Sequence, residues 1–367
     1  MGSRAAAYAK RYLYETMSSP SSTLEVTPNI DTLRDHLRYY YGRHLKKSSD
    51  LTEKACCTEE TQQRHADILA LIPDAVKDRH YGCGCPIPND DLTGITVLDL
   101  GSGAGVDAFI TAYKAGPSGF VHGIDMTDEQ LAVANEHADE VARSFGFPAR
   151  NTAFHKDFIE VADSIPDNSV DLVISDCVIN LSPRKDLVFQ TIQRVLSEGG
   201  EFYISDIAAD REVPDSIRED ADMIAECLGG AMYEHAWFDT MKDAGFTDPR
   251  VFSRRVVQTE AKGEPITFSS LTVRAFKFSD TLDQRCEDYG QVAVYKGNSP
   301  DDSARFVFDD HHIFEAHRPT AVCRNTARMI SETRLGRYFD VTPAVKHFGL
   351  FPCGPEPAGG ESAQPCC

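Results

Sequence analysis

From Ile95 onward the chain alternates short apolar runs with amphipathic stretches. The runs 96–100, 120–124, 152–155, 170–175 and 201–205 have strand length and β-branched or aliphatic content. Helical spacing fills the gaps. One stretch, 105–114, is closed by Ala115-Gly116-Pro117. Another opens on Thr127-Asp128-Glu129-Gln130, a capping-box pattern. Its residues Leu131, Ala134, Ala138, Val141, Ala142 and Phe145 fall on one face. Ser182-Pro183 reads as an N-cap with proline in the first turn, for a helix running to Leu196 and stopping at Gly199-Gly200. A helix near 238–243 ends at Gly245, and a strand near 250–257 follows. Repeated strand–helix units with short turns predict an α/β protein with a parallel, doubly wound sheet. Residues 206–236 break the rhythm, and insertions of that length are usually binding elements.

The flanks read differently. Residues 31–48 predict a helix with Leu33, Leu37, Tyr40 and Tyr41 on one face and Asp31 at its start. Residues 62–80 predict another, interrupted by Pro73. Segment 31–94 is thus an N-terminal helical region, and 95–262 a nucleotide-binding, Rossmann-like domain. Beyond 263, strands at 266–278, 291–295, 304–308 and 312–316 and a helix at 320–331 predict a small C-terminal α+β domain over 263–352. Residues 1–30, rich in Ser, Ala, Thr and Pro, read as a flexible tail, and the Pro/Gly-rich 353–367 as a cysteine-containing tail.

Composition narrows the partners. A formal charge of −20 with no local basic patch argues against nucleic acid. There is no run of eighteen apolar residues, so no membrane span is expected. Arg4, Lys10 and Arg11 make a poor signal peptide, so a cytoplasmic, reducing location is expected. Eleven cysteines is an odd number, which no set of internal disulfides can close. A monomer is the expectation.

The chemistry begins at Leu98-Asp99-Leu100-Gly101-Ser102-Gly103-Ala104-Gly105. The glycines allow a tight turn and close approach of backbone to ligand. Asp125 ends the second strand, where a carboxylate can accept both ribose hydroxyls of an adenosine. Asp157 follows the third strand and faces the adenine side, next to Phe158. Asp99 anchors the turn, and Ser102 lies within it. A glycine loop alone is shared with nicotinamide-binding domains. The order of the units and Met126 after Asp125 favour S-adenosylmethionine. The candidate cofactor set is Asp99, Gly101, Ser102, Gly103, Gly105, Asp125, Met126, Asp157 and Phe158.

In doubly wound sheets, ligands bind beyond the carboxyl ends of the strands. Cys177 ends the fourth strand, Cys227 lies in the insertion, and Cys83 precedes the first strand. Topology brings these thiols toward one edge. Thiolates favour soft ions. The chain has Cys83-Gly-Cys85 and adjacent cysteine pairs rather than CxxC pairs, so no zinc or other resident metal is expected. Buried packing is the plain alternative for each cysteine.

Several segments together resemble the arsenite S-adenosylmethionine methyltransferases. They are Tyr40-Tyr41-Gly42, Ala55-Cys56-Cys57-Thr58, Tyr81-Gly82-Cys83-Gly84, LDLGSGAG, Gly123-Ile124-Asp125-Met126-Thr127, Asp176-Cys177-Val178-Ile179-Asn180-Leu181 and Glu226-Cys227-Leu228-Gly229-Gly230-Ala231. The resemblance implies a class I methyltransferase fold with an inserted arsenic-binding region. It implies that Cys83, Cys177 and Cys227 bind trivalent arsenic, as arsenite or its thiol conjugates. It further implies that Cys56 completes a catalytic thiol relay reopened by thioredoxin or glutathione. Cys57 and Cys85 sit close enough in sequence to leave the relay partner open. No general base is required, so His122, His155 and His235 are read as structural. The competing readings are a methyltransferase for a small organic substrate and a non-catalytic metalloid binder.

Overall fold

The computed structural model describes residues 30–45, 50–51, 59–280 and 282–352. Cys56, Cys57 and the expected tails lie outside the described residues.

The centre is an eight-stranded sheet. Its strands are β1 (Thr96–Leu100), β2 (Phe120–Asp125), β3 (Thr152–Lys156), β4 (Val170–Asp176), β5 (Leu196–Ala209), β6 (Met232–Tyr233), β7 (Arg250–Gln258) and β8 (Phe268–Phe276). The order is β3-β2-β1-β4-β5-β8-β7, with β6 on the end of β5. Residues along each strand feed two cores in turn. Leu98, Val173, Phe189, Phe202 and Trp237 fill one face. Val97, Phe109, Ile110, Leu172 and Tyr203 fill the other. Burial on both faces is why the strands read as nearly continuous apolar runs. β1 pairs with β2 on one side and β4 on the other, so the chain order reverses there. That reversal opens a crevice at the strands' carboxyl ends.

The helices follow in chain order. N-terminal to the sheet are α1 (Ile30–Tyr39), α2 (Glu59–Arg64), α3 (Ala66–Leu69) and α4 (Asp74–Lys77). The expected 31–48 helix leaves regular geometry at Tyr40, where residues Tyr40–His44 widen into a π turn. Asp31 lies inside the first turn of α1 rather than at its cap. Within the sheet domain lie α5 (Val106–Ala115), α6 (Asp128–Ser144), α7 (Lys185–Val195), α8 (Asp215–Arg218), α9 (Ala221–Ala225) and α10 (Glu234–Asp243).

Four expectations change. Helix α7 starts only at Lys185: the Ser182 hydroxyl donates to Glu160 Oε1 at 2.7 Å and its oxygen accepts the Arg184 N–H at 3.1 Å, which closes a turn ahead of the helix. Strand β5 runs on through Ala209 by pairing with β8, which reduces the insertion to the stretch carrying α8 and α9. The segment expected at 266–278 is β8, and it completes the large sheet rather than opening the small domain. It is antiparallel to β5 and β7, so the sheet is mixed. Finally, Pro319–Val322 is a strand, and the helix begins only after Cys323.

The C-terminal unit has a three-stranded sheet, β13 (Pro319–Val322), β10 (Gln291–Tyr295) and β14 (Phe339–Val341). Two short ladders join it: β11 (Arg305–Val307) with β12 (Ile313–Glu315), and β9 (Glu287–Asp288) with β15 (Gly349–Leu350). Helix α11 (Arg324–Ser331) packs over a core of Phe278, Tyr295, Phe306, Phe314 and Phe339. Half-buried Arg334 pairs with both Asp90 and Glu201 and so ties this unit to the sheet domain.

Candidate active site

A cleft of about 1020 Å³, partly open to solvent, occupies the crevice between β1 and β4. The glycine turn forms one wall. Gly101 has φ +70°, and a Cβ there would come 2.4 Å from Val178. The Gly101 and Ser102 N–H groups donate to the Ile124 carbonyl at 2.9 and 3.0 Å. Asp125 accepts from Gly103 N–H at 3.0 Å and from Thr127 N–H at 2.7 Å. The carboxylate thereby fixes the turn and stands at the cleft's edge. Gly105 does not line the cleft: it precedes α5 with φ +94°, packed under the Phe154 ring. Thr127 occupies the N-cap of α6 without a side-chain capping bond. Gln130, expected to close a capping box, instead donates to the Tyr41 carbonyl at 2.7 Å. It pins the N-terminal segment over the cleft.

Asp99, Gly101, Ser102, Gly103, Asp125, Met126, Asp157 and Phe158 all line this cleft. The Asp157 oxygens accept from Phe158 N–H and from Ser164, which fixes the loop after β3. Arg34 lies 4.3 Å from the centroid of Phe158, so α1 covers that aromatic wall. Burial pushes the Asp125 carboxyl above its ordinary range. Burial, then the nearby Asp107 and Asp125 charges, push Asp99 well above it. Asp99 Oδ2, Ser102 Oγ and Asp107 Oδ1 are buried without a protein partner. Orphaned polar atoms of this kind call for a polar ligand. An acid-lined cleft with a ribose-type carboxylate fits a cationic adenosine sulfonium.

Beside the cleft the chain gathers sulfur. One sulfur each from Cys83 and Cys177 and a carboxylate oxygen of Asp206 lie within 4.8 Å of one another. The Cys227 thiol donates to the Cys177 carbonyl at 3.0 Å. All three cysteines are buried in one apolar cluster with Ile207, Met223, Leu228 and Phe268. Cys177 also lines the cleft, so it touches both compartments. Each loop is held by its own anchors. Asp176 accepts the Cys83 and Gly84 N–H groups at 2.9 and 3.2 Å. Arg255 and Ser270 donate to the Cys83 carbonyl. The Asn180 amide donates to the Ile207 carbonyl at 2.6 Å and to that of Cys227 at 3.4 Å. Cys85 belongs to the other core, with Ile87 and Tyr203, and burial pushes its thiol up to about 11.

Comparison with known proteins follows the same lines. A methyltransferase domain model matches residues 91–245. An arsenite methyltransferase of Aquipseudomonas alcaligenes is 41% identical over 351 residues, covering 91% of this chain and all of that protein. The chain belongs to the arsenite methyltransferase family. The mouse arsenite methyltransferase is 35% identical, covering 86% of this chain and 85% of its own length. The crystal structure of an arsenic (III) S-adenosylmethionine methyltransferase from Chlamydomonas reinhardtii superposes with a TM-score of 0.74 at 42% identity. That match covers 78% of this chain and 98% of the other.

In this arsenite methyltransferase family member, sequence reasoning passed over several site residues. Asp206 is wholly buried beside the thiols, and burial pushes it up to about 6. β5 carries Asp206 to the thiols only by pairing with β8, so no local signal marked it. Lys185 donates to the Ser182 carbonyl at 2.9 Å and is pushed down to about 8 by burial, against the pull of Asp206 and Cys227. Tyr40 hydrogen-bonds Glu226, and Tyr41 donates to the Ala225 carbonyl at 2.6 Å. These tyrosines bind the N-terminal segment to the loop of Cys227. No local pattern announces such contacts.

Proposed function

We propose that this protein moves a methyl group from S-adenosylmethionine to trivalent arsenic held by Cys83, Cys177 and Cys227. One observation carries the reading: Cys177 lines the donor cleft while its sulfur lies within 4.8 Å of that of Cys83. When bound, the donor supplies an electrophilic methyl on a sulfonium. The thiols displace the hydroxyls of arsenite, one water leaving for each As–S bond formed. Arsenic is left three-coordinate with a lone pair, which is the nucleophile. The Asp176, Asn180, Arg255 and Ser270 bonds keep the sulfur loops from drifting. Positioning of this kind supplies roughly 7–11 kcal/mol in favourable cases. The attacking atom carries no proton, so no general base is needed. His122 and His155 fit that account, being engaged with each other at 3.2 Å on β2 and β3. An organic substrate would have no use for the sulfur cluster.

Methylation raises arsenic from the trivalent to the pentavalent state, so turnover needs two electrons. In this reading the Cys56 thiolate, its proton given to water, attacks the arsenic-bound sulfur of Cys83; the As–S bond breaks with its electron pair left on arsenic, which returns to the trivalent state, and the Cys56–Cys83 disulfide is reopened by exchange with thioredoxin or glutathione. The resemblance supports the role of Cys56, and the burial of Cys85 in the opposite core favours Cys83 as its partner. Repeated cycles give mono- and dimethylated arsenic, and a third transfer would give the trimethylated product.

The test is incubation with arsenite, S-adenosylmethionine and a thiol, with arsenic products speciated over time. Methylated arsenicals form in the wild type and not in Cys177→Ser or Cys227→Ser, while donor binding persists. Full activity in either variant overturns the reading. Cys56→Ser slows methylation of arsenite more than that of a monomethylated trivalent substrate. Equal loss on both substrates removes the relay.

A further inference from the structure

Among the described residues, the group that closes most tightly beside the cleft is not the three thiols. It is Cys83, Cys177 and Asp206, whose two sulfurs and one carboxylate oxygen lie within 4.8 Å of one another. The Cys227 thiol is turned instead to the Cys177 carbonyl, at 3.0 Å. Asp206 stands toward the carboxyl end of β5 and is wholly buried. Its Oδ1 accepts the Ile207 N–H at 2.8 Å, and its Oδ2 accepts the Asn180 N–H at 3.1 Å. Both are backbone groups, and together they fix the carboxylate against the sulfurs. An ionised carboxylate has about four acceptor positions, so two backbone donors leave capacity for more. A buried carboxylate is costly unless its acceptors are used.

We propose that Asp206 binds arsenite directly, by accepting the hydrogen bond of the hydroxyl that arsenic keeps while only two thiols hold it. The inference rests on the thiol capture proposed above and adds a stage to it. Two As–O bonds break, two As–S bonds form, and each thiol proton leaves with a hydroxyl as water. Arsenic stays trivalent, no electrons move, and one As–OH remains. With arsenic between Cys83 and Cys177, that hydroxyl has the Asp206 oxygen in reach. An O–H···O bond takes about 2.7 Å, which fits inside the group. Charge on the acceptor strengthens it. Cys227 then leaves the Cys177 carbonyl and bonds arsenic, and the last hydroxyl departs as a third water.

The carboxylate therefore sets a preference. Arsenite at the two-thiol stage has a hydroxyl to donate. A monomethylated trivalent arsenical, CH3–As(OH)2, gives both of its hydroxyls to the two thiols and has none. Asp206 favours the first substrate over the second at this stage.

Cys227→Ser halts capture with two thiols bound and is the background for the test. The full chain is titrated with each arsenical in the absence of methyl donor. The pH is 8, above the value of about 6 to which burial pushes Asp206. Binding is read as protection of Cys177 from a brief maleimide pulse, by peptide mapping, so other cysteines do not contribute. Adding Asp206→Asn is expected to raise the arsenite midpoint about tenfold, the loss of one hydrogen bond to a charged group. The CH3–As(OH)2 midpoint is expected to move less than threefold. Asp206→Ser also removes the carboxylate and carries the same comparison if the asparagine variant does not fold. An arsenite shift less than three times the CH3–As(OH)2 shift overturns the proposal, because a purely structural acid weakens both alike. So does a Cys227→Ser parent that holds CH3–As(OH)2 but not arsenite. Absence of Cys177 protection by arsenite in the wild type is a separate result, and it sinks the thiol capture of the proposed function.

Discussion

The thiol of Cys227 hydrogen-bonds the carbonyl of Cys177, and both residues hold left-handed backbones, at φ +65° and +57°. Such a conformation costs a residue with a Cβ roughly 1–2 kcal/mol. Glycine adopts it freely. Two cysteines where glycine would be easier point to a requirement for sulfur. Cys177→Gly removes the thiol and relieves the backbone together. Its unfolding free energy is expected within about 1 kcal/mol of wild type, as the relief offsets the lost side-chain burial. Arsenite methylation is expected to vanish. Denaturant melts and product speciation check both halves, and an active Cys177→Gly would remove the thiol from the reaction.

Asp176 joins the two compartments, since it lines the cleft and accepts the N–H groups of Cys83 and Gly84. Gly82 lies against it, and a Cβ there would stand 1.9 Å from Asp176 Oδ2. Gly82→Ala must therefore push the carboxylate aside and loosen the loop of Cys83. The expected result is at least a tenfold loss of kcat for arsenite, about 1.4 kcal/mol of transition-state stabilisation. Asp176→Asn keeps an acceptor oxygen for Cys83 and is expected to lose less. Steady-state kinetics on the pair check the order. Wild-type rates in Gly82→Ala would show that the loop tolerates the shift.

Tyr40 reaches across 186 residues of sequence to hydrogen-bond Glu226, the residue before Cys227. Tyr40→Phe removes the hydroxyl and keeps the ring. A hydrogen bond contributes about 0.5–1.5 kcal/mol net, so stability falls by at least that order. The apparent KM for arsenite is expected to rise more than that for the methyl donor, because the affected loop carries Cys227. Equal changes in both constants would make the contact a general brace of the fold.

What the sequence disclosed was what local physics decides. Strands 96–100 and 291–295 carry their own period and end on their own turn residues, and they form where expected. The glycine turn and Asp125 were legible for the same reason. Choices made by distant partners were not. Ser182 has the chemistry of an N-cap and its oxygen accepts the Arg184 N–H, but the distant Glu160 anchors its hydroxyl and the helix starts only at Lys185. Gln130 stands at the capping-box position, but Asp125 takes the Thr127 N–H that the box needs, and the Tyr41 carbonyl takes the Gln130 amide. Phe268–Phe276 is strand-like in isolation, and only pairing with β5 and β7 makes it part of the large sheet. Asp206 falls in a stretch whose strand character depends on β8, so its place beside the thiols was hidden with it.

His65 sets an expectation for acid. It is buried, and its ring Nε2 has no hydrogen-bond partner. Burial, then the charges of Lys114 and Arg64, push it down to about 4, against a weaker opposing pull from Asp107. An unfolded histidine titrates near 6.5. Between those values the unfolded chain binds the extra proton, so stability falls as pH falls. The contribution is intact above pH 6.5 and is lost progressively toward pH 4. At about 1.4 kcal/mol per unit the full loss is about 3 kcal/mol. His65→Gln cannot titrate there, so its stability is expected to decline less than that of wild type over this window. Denaturant melts at pH 7 and pH 4.5 measure the difference. Parallel declines in the two proteins would assign the acid sensitivity to other groups.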